Sequence, residues 1–364
     1  LVVRLGQDFL RDCPGPIAVT APLRVCPLGA HVDHQGGVVT GMTVDREVLL
    51  VAGPASDAVA KIVSLDFPGE VTVRLGEPVP PRAGDWGDYV RAAIAVLSSR
   101  YRLHTGVRAA IGGDLPGAGL SSSAAVLVAY LLALSKVNDI DILREEIAGL
   151  VQKAENDYVG VSSGRLDQSM ILFAERDHLT RVDCSDLSIE QVPHPPGWAD
   201  FKVLVVFSGV GRTLAGSSFN TRVEECHDAA RLLLKLAGRP VPERTVLSAV
   251  PHQVFERFVQ DLPRTERRRA THYFGEQRRV FSGVEAWRSG DLGRFGSLMN
   301  ASGASSIHNF ESGTAELVTL YEILRETPGV YGARFSGGGF GGSCVALIEP
   351  DAGVSVVEAV RRRY

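Results

Sequence analysis

The sequence predicts an α+β protein. Apolar residues recur every three or four positions in some segments and form short Val/Ile/Leu-rich runs in others, and Gly and Pro separate the two kinds. Apolar residues make up 45% of the chain and charged residues 22%, a balance that excludes a mainly disordered protein. At ~100–200 residues per domain, 364 residues allow two or three domains.

The first half carries strands at Val38–Val44, Val48–Ala52 and Val71–Leu75. From Trp86 the residues Tyr89, Val90, Ala93, Ile94, Leu97 and Tyr101 place one apolar stripe on a helix. Val107–Ile111 reads as a strand, Gly112–Gly119 as a glycine-rich loop, Ser121–Val137 as an almost wholly apolar helix, and Asp141–Val159 as a further helix. The apolar run Ala124–Leu134 has eleven residues, against the ~20 needed to span a bilayer, and is read as a buried helix. Strand, turn and Pro-rich sequence occupy Asp177–Pro196, and an apolar strand restarts at Phe201–Phe207. A domain boundary is therefore expected at about residue 195, giving domains 1–194 and 195–364. The second half alternates helices (Ser218–Ala237, Arg264–Phe281, Asp291–Ser302, Thr314–Thr327) with strands (Ala333–Ser336, Ser343–Ile348), and the chain stops in helical sequence at Arg361–Tyr364. No repeat of 20–50 residues is visible.

Charge narrows the partners. Thirty-eight Lys+Arg against 42 Asp+Glu leave a net charge of −4, so no global positive field invites nucleic acid or an anionic membrane. The basic run Arg264, Arg267, Arg268, Arg269, Arg278, Arg279 is interrupted by Glu266 and Glu276 and reads as a solvated helix face. Cys13, Cys26, Cys184, Cys226 and Cys344 are scattered without a CxxC pair, which suggests neither a disulfide framework nor structural zinc. With no apolar leader at Leu1–Asp8, a reducing cytosol is the expected compartment.

Four segments carry chemistry. In Asp114-Leu-Pro-Gly-Ala-Gly-Leu-Ser-Ser-Ser-Ala-Ala125, Gly117 and Gly119 allow close backbone approach, and Ser121–Ser123 are expected to cap a helix and leave outward-facing N–H groups, where the dipole favours an anion. This is either a phosphate cradle or a plain Gly/Ser cap; no Lys follows the last glycine, so it is not the GxxxxGK[ST] loop. Phe335-Ser-Gly-Gly-Gly-Phe-Gly-Gly-Ser343 holds more glycine than a hairpin needs, implying a backbone packed closely against something. Arg24-Val-Cys-Pro-Leu-Gly-Ala-His-Val-Asp-His-Gln-Gly-Gly37 crowds a cation, two imidazoles and a carboxylate into a Gly/Pro-rich turn. Gly164-Arg-Leu-Asp-Gln168, after Glu155, offers a carboxylate that is either a general base or a structural cap.

Together these segments resemble the motifs of the sugar-kinase branch of the GHMP kinases, in order along nearly the whole chain. Trp86-Gly-Asp-Tyr-Val-Arg91, Ala154-Glu-Asn-Asp-Tyr158, Phe219-Asn-Thr-Arg-Val-Glu-Glu-Cys226 and Leu298-Met-Asn-Ala-Ser302 agree with it. The resemblance implies a ribosomal-S5-like N-terminal half, a ferredoxin-like C-terminal half, a site in the cleft between them, and ATP and Mg²⁺ as cofactors. It implies that Gly117, Ala118, Gly119, Leu120, Ser121, Ser122 and Ser123 cradle the ATP phosphates, that Gly337, Gly338, Gly339 and Gly341 form the third motif, and that Ser123 and Glu155 hold Mg²⁺. Asp167 would act on the anomeric hydroxyl and Arg24 on the transferring phosphoryl group; Trp86 either packs on adenine or belongs to the core. His31 and Asp33 belong to the sugar motif.

Galactokinases typically read Gly-Glu-His-Thr-Asp-Tyr-Asn-Gly-Gly where this chain has Gly29-Ala-His-Val-Asp-His-Gln-Gly-Gly37. Ala30 replaces a Glu that meets the sugar C6 end, Phe219 replaces a Tyr that contacts sugar, and Arg165 adds a guanidinium two residues before Asp167. A negative group and a hydroxyl are lost and a positive one gained, which suits a sugar whose C6 is a carboxylate, and the resemblance implies that this sugar is D-galacturonate. Arg165 either serves that acid or pairs with a surface carboxylate, Phe219 either lines the sugar or only fills space, and His34 reads as a solvent-facing loop residue. The alternatives are a galactokinase and a non-catalytic sugar sensor; no nucleic acid, membrane or obligatory protein partner is expected.

Overall fold

The computed structural model describes residues 9–10, 13–115, 119–198, 200–211 and 218–364. They form two compact units, one from Leu1–Arg24, Val44–Pro116 and Ser121–Leu172, the other from Val25–Thr43, Gly117–Leu120 and Phe173–Tyr364. The units interleave along the chain, so the expected division into 1–194 and 195–364 does not follow them. Residues 25–43, which carry the first motif, belong with the C-terminal half because their backbone is hydrogen-bonded to it, as described below.

The first unit holds strand β1 (Ile17–Val25) up to Arg24, and a ladder of β3 (Val59–Ser64), β4 (Glu70–Arg74), β5 (Gly106–Gly113) and the end of β2 (Val38–Ala55). β3 pairs antiparallel with β4 and parallel with β5, and β5 pairs antiparallel with residues 48–55 of β2. The two strands read from the sequence at 38–44 and 48–52 are therefore one strand of 18 residues, continuous through the exposed Asp45-Arg46-Glu47. Helices α1 (Gly87–Ser98), α2 (Ser122–Val137) and α3 (Arg144–Lys153) pack on one another. A π-helical turn (Ala154–Val159) continues α3, and the short α4 (Leu166–Phe173) follows. α2 buries Ala124, Leu127, Val128 and Leu131 on one face and Ala125, Ala129, Tyr130 and Ala133 around the rest, which is why its sequence is apolar on nearly every face. Among the described residues, no helix is long and apolar enough to cross a membrane.

In the second unit, residues 38–41 of β2 pair antiparallel with β6 (His178–Asp183), and β6 with β7 (Ile189–Pro193). A separate antiparallel sheet runs β8 (Lys202–Phe207), β10 (Ser343–Ile348), β9 (Val330–Phe335) in space. Central β10 is buried at every residue, as a strand covered on both faces must be. Its core includes Leu317, Leu320 and Leu324 of α9 (Ala315–Glu326) and Val356 and Val360 of α10 (Gly353–Arg363). Against β9 lies α8 (Leu292–Ser305), so close that a Cβ at Gly296 would come within 2.1 Å of the Tyr331 carbonyl oxygen, and one at Gly332 within 2.1 Å of the Gly296 oxygen.

The remaining helices are α5 (Phe219–Leu236), α6 (His252–Phe258) and the 25-residue α7 (Arg264–Arg288). α7 is not the solvated basic helix that its composition suggests: Arg269, His272 and Glu276 are buried with Tyr273, Val280, Val284 and Trp287. The apolar stripe of α7 passes through these polar positions, and each is buried because it has a partner. Arg269 donates to Glu225 on α5 at 2.7 Å and to Glu311 at 2.7 Å. Glu276 accepts from the Arg279 Nε at 2.7 Å and from the Ser302 hydroxyl on α8 at 2.7 Å.

Burial pushes the His272 imidazole down to about 4, with Glu276 acting in the opposite direction. Burial pushes the Glu276 carboxyl up, but Arg279, His272, Arg334 and the Ser302 hydroxyl outweigh it and hold the group down at about 2. Both groups make acid destabilising. Below the ordinary histidine value near 6.5 the unfolded chain binds a proton that folded His272 refuses; below the ordinary glutamate value the unfolded chain protonates before folded Glu276 does. Thermal melts are therefore expected to lose stability as pH falls from about 6.5 to 4, by on the order of a few kcal/mol. His272→Gln should flatten that slope, and an unchanged slope in the variant would remove His272 from the account.

Candidate active site

The carboxylate of Asp167 lies in the first turn of α4, a helix that the sequence shows only as the segment 164–168. Arg24, near the end of β1, is 2% exposed and places Nε at 2.7 Å and Nη2 at 2.6 Å from Asp167 Oδ1. Its Nη1 is buried with no hydrogen-bond partner among the described residues. The second carboxylate oxygen, Oδ2, accepts the hydroxyl of Ser121. Asp167 keeps 28% of its side chain exposed, so this fully gripped acid still faces outward. Ser121, expected to cap α2, does not: its backbone is left-handed (φ 60°, ψ 40°), and its hydroxyl makes no bond to the first turn of the helix.

That turn therefore presents backbone N–H groups unclaimed by a serine cap, the arrangement in which a helix start accepts an anion. In the same turn, the Ser123 hydroxyl donates to Glu155 Oε1 at 3.2 Å, while Ser163 donates to Glu155 Oε2 at 2.6 Å. Glu155 is 6% exposed and sits on the π turn. One buried carboxylate and one hydroxyl are hard oxygen donors of the kind Mg²⁺ takes when phosphate oxygens and water complete its shell. Among the described residues no group of three or more His, Cys, Asp or Glu side chains forms a self-sufficient metal cage.

Gly117 and Ala118 lie outside the described residues. Gly119 and Leu120 belong to the second unit, where Ser336 donates to the Gly119 carbonyl at 2.7 Å. Leu120 is fully buried. The third glycine motif packs against its own chain. Gly313 donates to the Gly339 carbonyl at 2.9 Å, and a Cβ at Gly339 would meet the Ser312 side chain at 3.0 Å. Gly337, Gly339 and Gly341 all have positive φ, whereas Gly338 is not among the positive-φ glycines.

The loop carrying Ala30, His31 and Asp33 is set from below by α7. Glu276 Oε1 accepts the N–H of Gly29 at 2.8 Å and of Ala30 at 3.1 Å. His272 Nε2 lies 2.8 Å from the Ala30 carbonyl oxygen, which can only accept, so this nitrogen carries the proton. Arg334 on β9 donates to the Cys26 carbonyl at 2.8 Å. Gly29 has φ 100°, and a Cβ there would strike Val39 Cα at 2.6 Å, so only glycine fits. His31 is stacked on Phe310, ring centroids 4.2 Å apart. Ala30 and His31 are buried and Asp33 half-buried.

His34 is not solvent-facing in its reactive atoms. Leu247 donates to Gln35 Oε1 at 3.1 Å, which turns the amide nitrogen toward His34 Nδ1, 3.0 Å away. The His34 Nε2 is buried with no hydrogen-bond partner among the described residues, and burial first, then His227 and His272, pushes the imidazole down to about 3. Its ring meets Phe219 edge-on at 5.8 Å; Phe219 is 8% exposed. One turn along α5, Arg222 ion-pairs with Glu225, so that Arg222, Arg268 and Arg269 face two carboxylates, Glu225 and Glu311. Arg165, in the first unit, donates from Nε to Gln152 on α3 at 3.0 Å. Trp86 is half-buried, its indole N–H on the Pro68 carbonyl at 3.1 Å.

Sequence reasoning missed His272, Glu276 and Ser163. A signal existed for Glu276, since Tyr273, Val280, Val284 and Trp287 recur at helical spacing and leave it on the buried stripe.

Known proteins place the chain. The GHMP kinases N terminal domain matches residues 88–175, and the GHMP kinases C terminal domain matches 284–364. A galacturonokinase of Arabidopsis thaliana is 41% identical over 99% of this chain and 89% of its own. A galactokinase of Chloroflexus aurantiacus is 36% identical over 95% and 87%. The crystal structure of Lactococcus lactis galactokinase complexed with galactose superimposes with a TM-score of 0.90 at 30% identity, covering 100% of this chain and 94% of that one. The Methanococcus jannaschii mevalonate kinase, at 15% identity and TM-score 0.69, shares the fold. With both family domains matched and identity of this level across almost the full length of both chains, the protein belongs to the GHMP kinases, among the galactokinase-like members.

Proposed function

We propose that the protein is an ATP-dependent sugar kinase that phosphorylates the anomeric hydroxyl of D-galacturonate. The observation that carries the acid-sugar reading is Ala30, a methyl group on a peptide fixed through its N–H by Glu276 and through its C=O by His272. Where galactokinases carry a carboxylate, this chain presents no charge, and the clamp leaves the backbone no freedom to substitute one. The surplus guanidinium among Arg222, Arg268 and Arg269, and the 41% identity to a galacturonokinase, support the same reading. Arg165 remains a second candidate cation.

In this reading the proton of the acceptor hydroxyl passes to Asp167 as its oxygen bonds to the γ-phosphorus and the bond to the ADP oxygen breaks. Asp167 orients and deprotonates, while Arg24, with a buried Nη1 to spare, answers the negative charge on the phosphoryl oxygens. The start of α2 and the glycine segment through Gly119 hold the phosphates. Ser123 and Glu155 would hold Mg²⁺, which would supply charge neutralisation for the phosphates. His31 and Asp33 read the ring hydroxyls, and Phe219 covers an apolar part of the sugar.

Consumption of ATP by the purified protein across galacturonate, glucuronate, galactose and arabinose tests the assignment, with galacturonate expected to be preferred. Asp167→Asn and Arg24→Met should each lower kcat by ~10²–10⁴ while nucleotide affinity changes little. Near-normal turnover in Asp167→Asn would take that residue out of the mechanism, and wild-type protein that binds sugar and ATP without forming sugar phosphate would favour a sensor.

Glu155→Gln is expected to raise the Mg²⁺ concentration needed for half-maximal rate, and a chelator to abolish activity. An unchanged Mg²⁺ titration would make Glu155 structural.

Ala30→Glu should sharply lower kcat/KM for galacturonate and improve it for galactose. Two like charges ~4 Å apart repel by up to about 4 kcal/mol at an effective dielectric near 20, roughly a thousandfold in binding. A charged acceptor for a C6 hydroxyl is typically worth ~1.5–3 kcal/mol, so the gain on galactose should be the smaller effect. Adding Phe219→Tyr should shift preference further. If the galacturonate-to-galactose ratio does not move, the acid-sugar assignment fails.

A further inference from the structure

The residue before α2 is a serine in a conformation that favours glycine. Ser121 has φ 60° and ψ 40°, is 1% exposed, and follows Gly119, so the chain has glycine available within the same loop yet keeps a side chain here. Serine at a helix start ordinarily repays its place by capping, and this one caps nothing. A side chain kept where it strains the backbone, and withheld from its usual local bond, implies a use for its one polar group. That group reaches Asp167.

We propose that Ser121 is a positioning residue for Asp167, its left-handed backbone serving to aim the hydroxyl at the carboxylate rather than at the helix. The inference rests on the reading that Asp167 acts on the acceptor hydroxyl. Arg24 holds only Oδ1, through Nε and Nη2 together, and a carboxylate held at one oxygen can swing about that contact. The Ser121 hydroxyl takes hold of Oδ2 and removes the swing. An ionised carboxylate oxygen accepts more than one hydrogen bond, so Oδ2 keeps a lone pair for the acceptor hydroxyl while the serine proton stays on serine. The left-handed turn also connects two jobs. The Ser121 hydroxyl does not claim the first N–H groups of α2, because it is engaged with the acid.

The test separates the hydroxyl from the strain. Ser121→Gly removes the hydroxyl and relieves the backbone, so its melting temperature should equal or exceed wild type while kcat falls ~10–100-fold, the scale of a small misplacement of a reacting group. KM for sugar and for ATP should stay within about twofold, since no substrate contact is lost. Ser121→Ala, without hydroxyl but with strain, should show the same kcat loss. Ser121→Thr keeps the hydroxyl but puts a β-branched residue at positive φ, so it should melt lower yet retain more activity than Ser121→Gly. A residue of purely structural importance would give the reverse order of activities, and that order would overturn the inference. So would a Ser121→Gly kcat within about twofold of wild type, or a rise confined to KM for ATP, which would put the hydroxyl on phosphate. Asp167→Asn measured alongside separates the two levels. If it retains turnover, the role given to Asp167 fails; if it is inactive while Ser121→Gly is fully active, only the positioning role fails.

Discussion

The first unit is arranged around one ion pair made across 143 residues of sequence, between Arg24 at the end of a strand and Asp167 at the start of a helix. Removing both groups from water is costly, and an apolar pair of similar volume would often be as stable or more so. Stability is therefore a poor reason for the pair. Orientation is a better one: Arg24 is buried, and Asp167 is held by it yet remains partly open to solvent. A second donor, Ser121, reaches the same acid from the left-handed entry to α2.

The second unit solves a similar problem with a different hub. The buried Glu276 gathers two backbone N–H groups of the first motif, a serine of α8 and the guanidinium of Arg279. A carboxylate with so many donors stays ionised in a site where burial alone would neutralise it. The loop it holds contains Gly29 and His31, both at positive φ, a shape the backbone would not keep unaided. Loop residues that meet a ligand thus gain their precision from a helix that never needs to touch it.

Specificity in this frame is a matter of subtraction. In the proposed reading, an alanine at a clamped position cannot offer a hydrogen bond or a charge, and its value lies in what it does not repel. The neutral state of His272, and of His34 behind Phe219, fits the same economy, because burial keeps both imidazoles uncharged and leaves the arginines of α5 and α7 as the local cations.

How much of this was legible in the sequence depends on range. Periodicity located the apolar helix at 121–137, the strands at 201–207 and 343–348 and most C-terminal helices, since those signals arise from neighbours a few residues apart. The glycine motifs, Arg24, Asp167, Ser123 and Glu155 were legible as residue types in a recognisable order, and the structure brings the last four together in two pairs within one unit. The sequence could not say that Ser121 would abandon its cap for Asp167, because nothing local marks a serine as left-handed. Nor could it say that Arg269, His272 and Glu276 of a seemingly basic helix are interior, because a charge is buried only when a partner from a distant segment meets it, here Glu225, Glu311, the Ala30 carbonyl and the Gly29 and Ala30 amides. The sequence by itself determined which chemical groups are present and which elements carry them; the tertiary structure decided which of those groups are paired, buried and aimed, because desolvation and hydrogen bonding are set by neighbours in space.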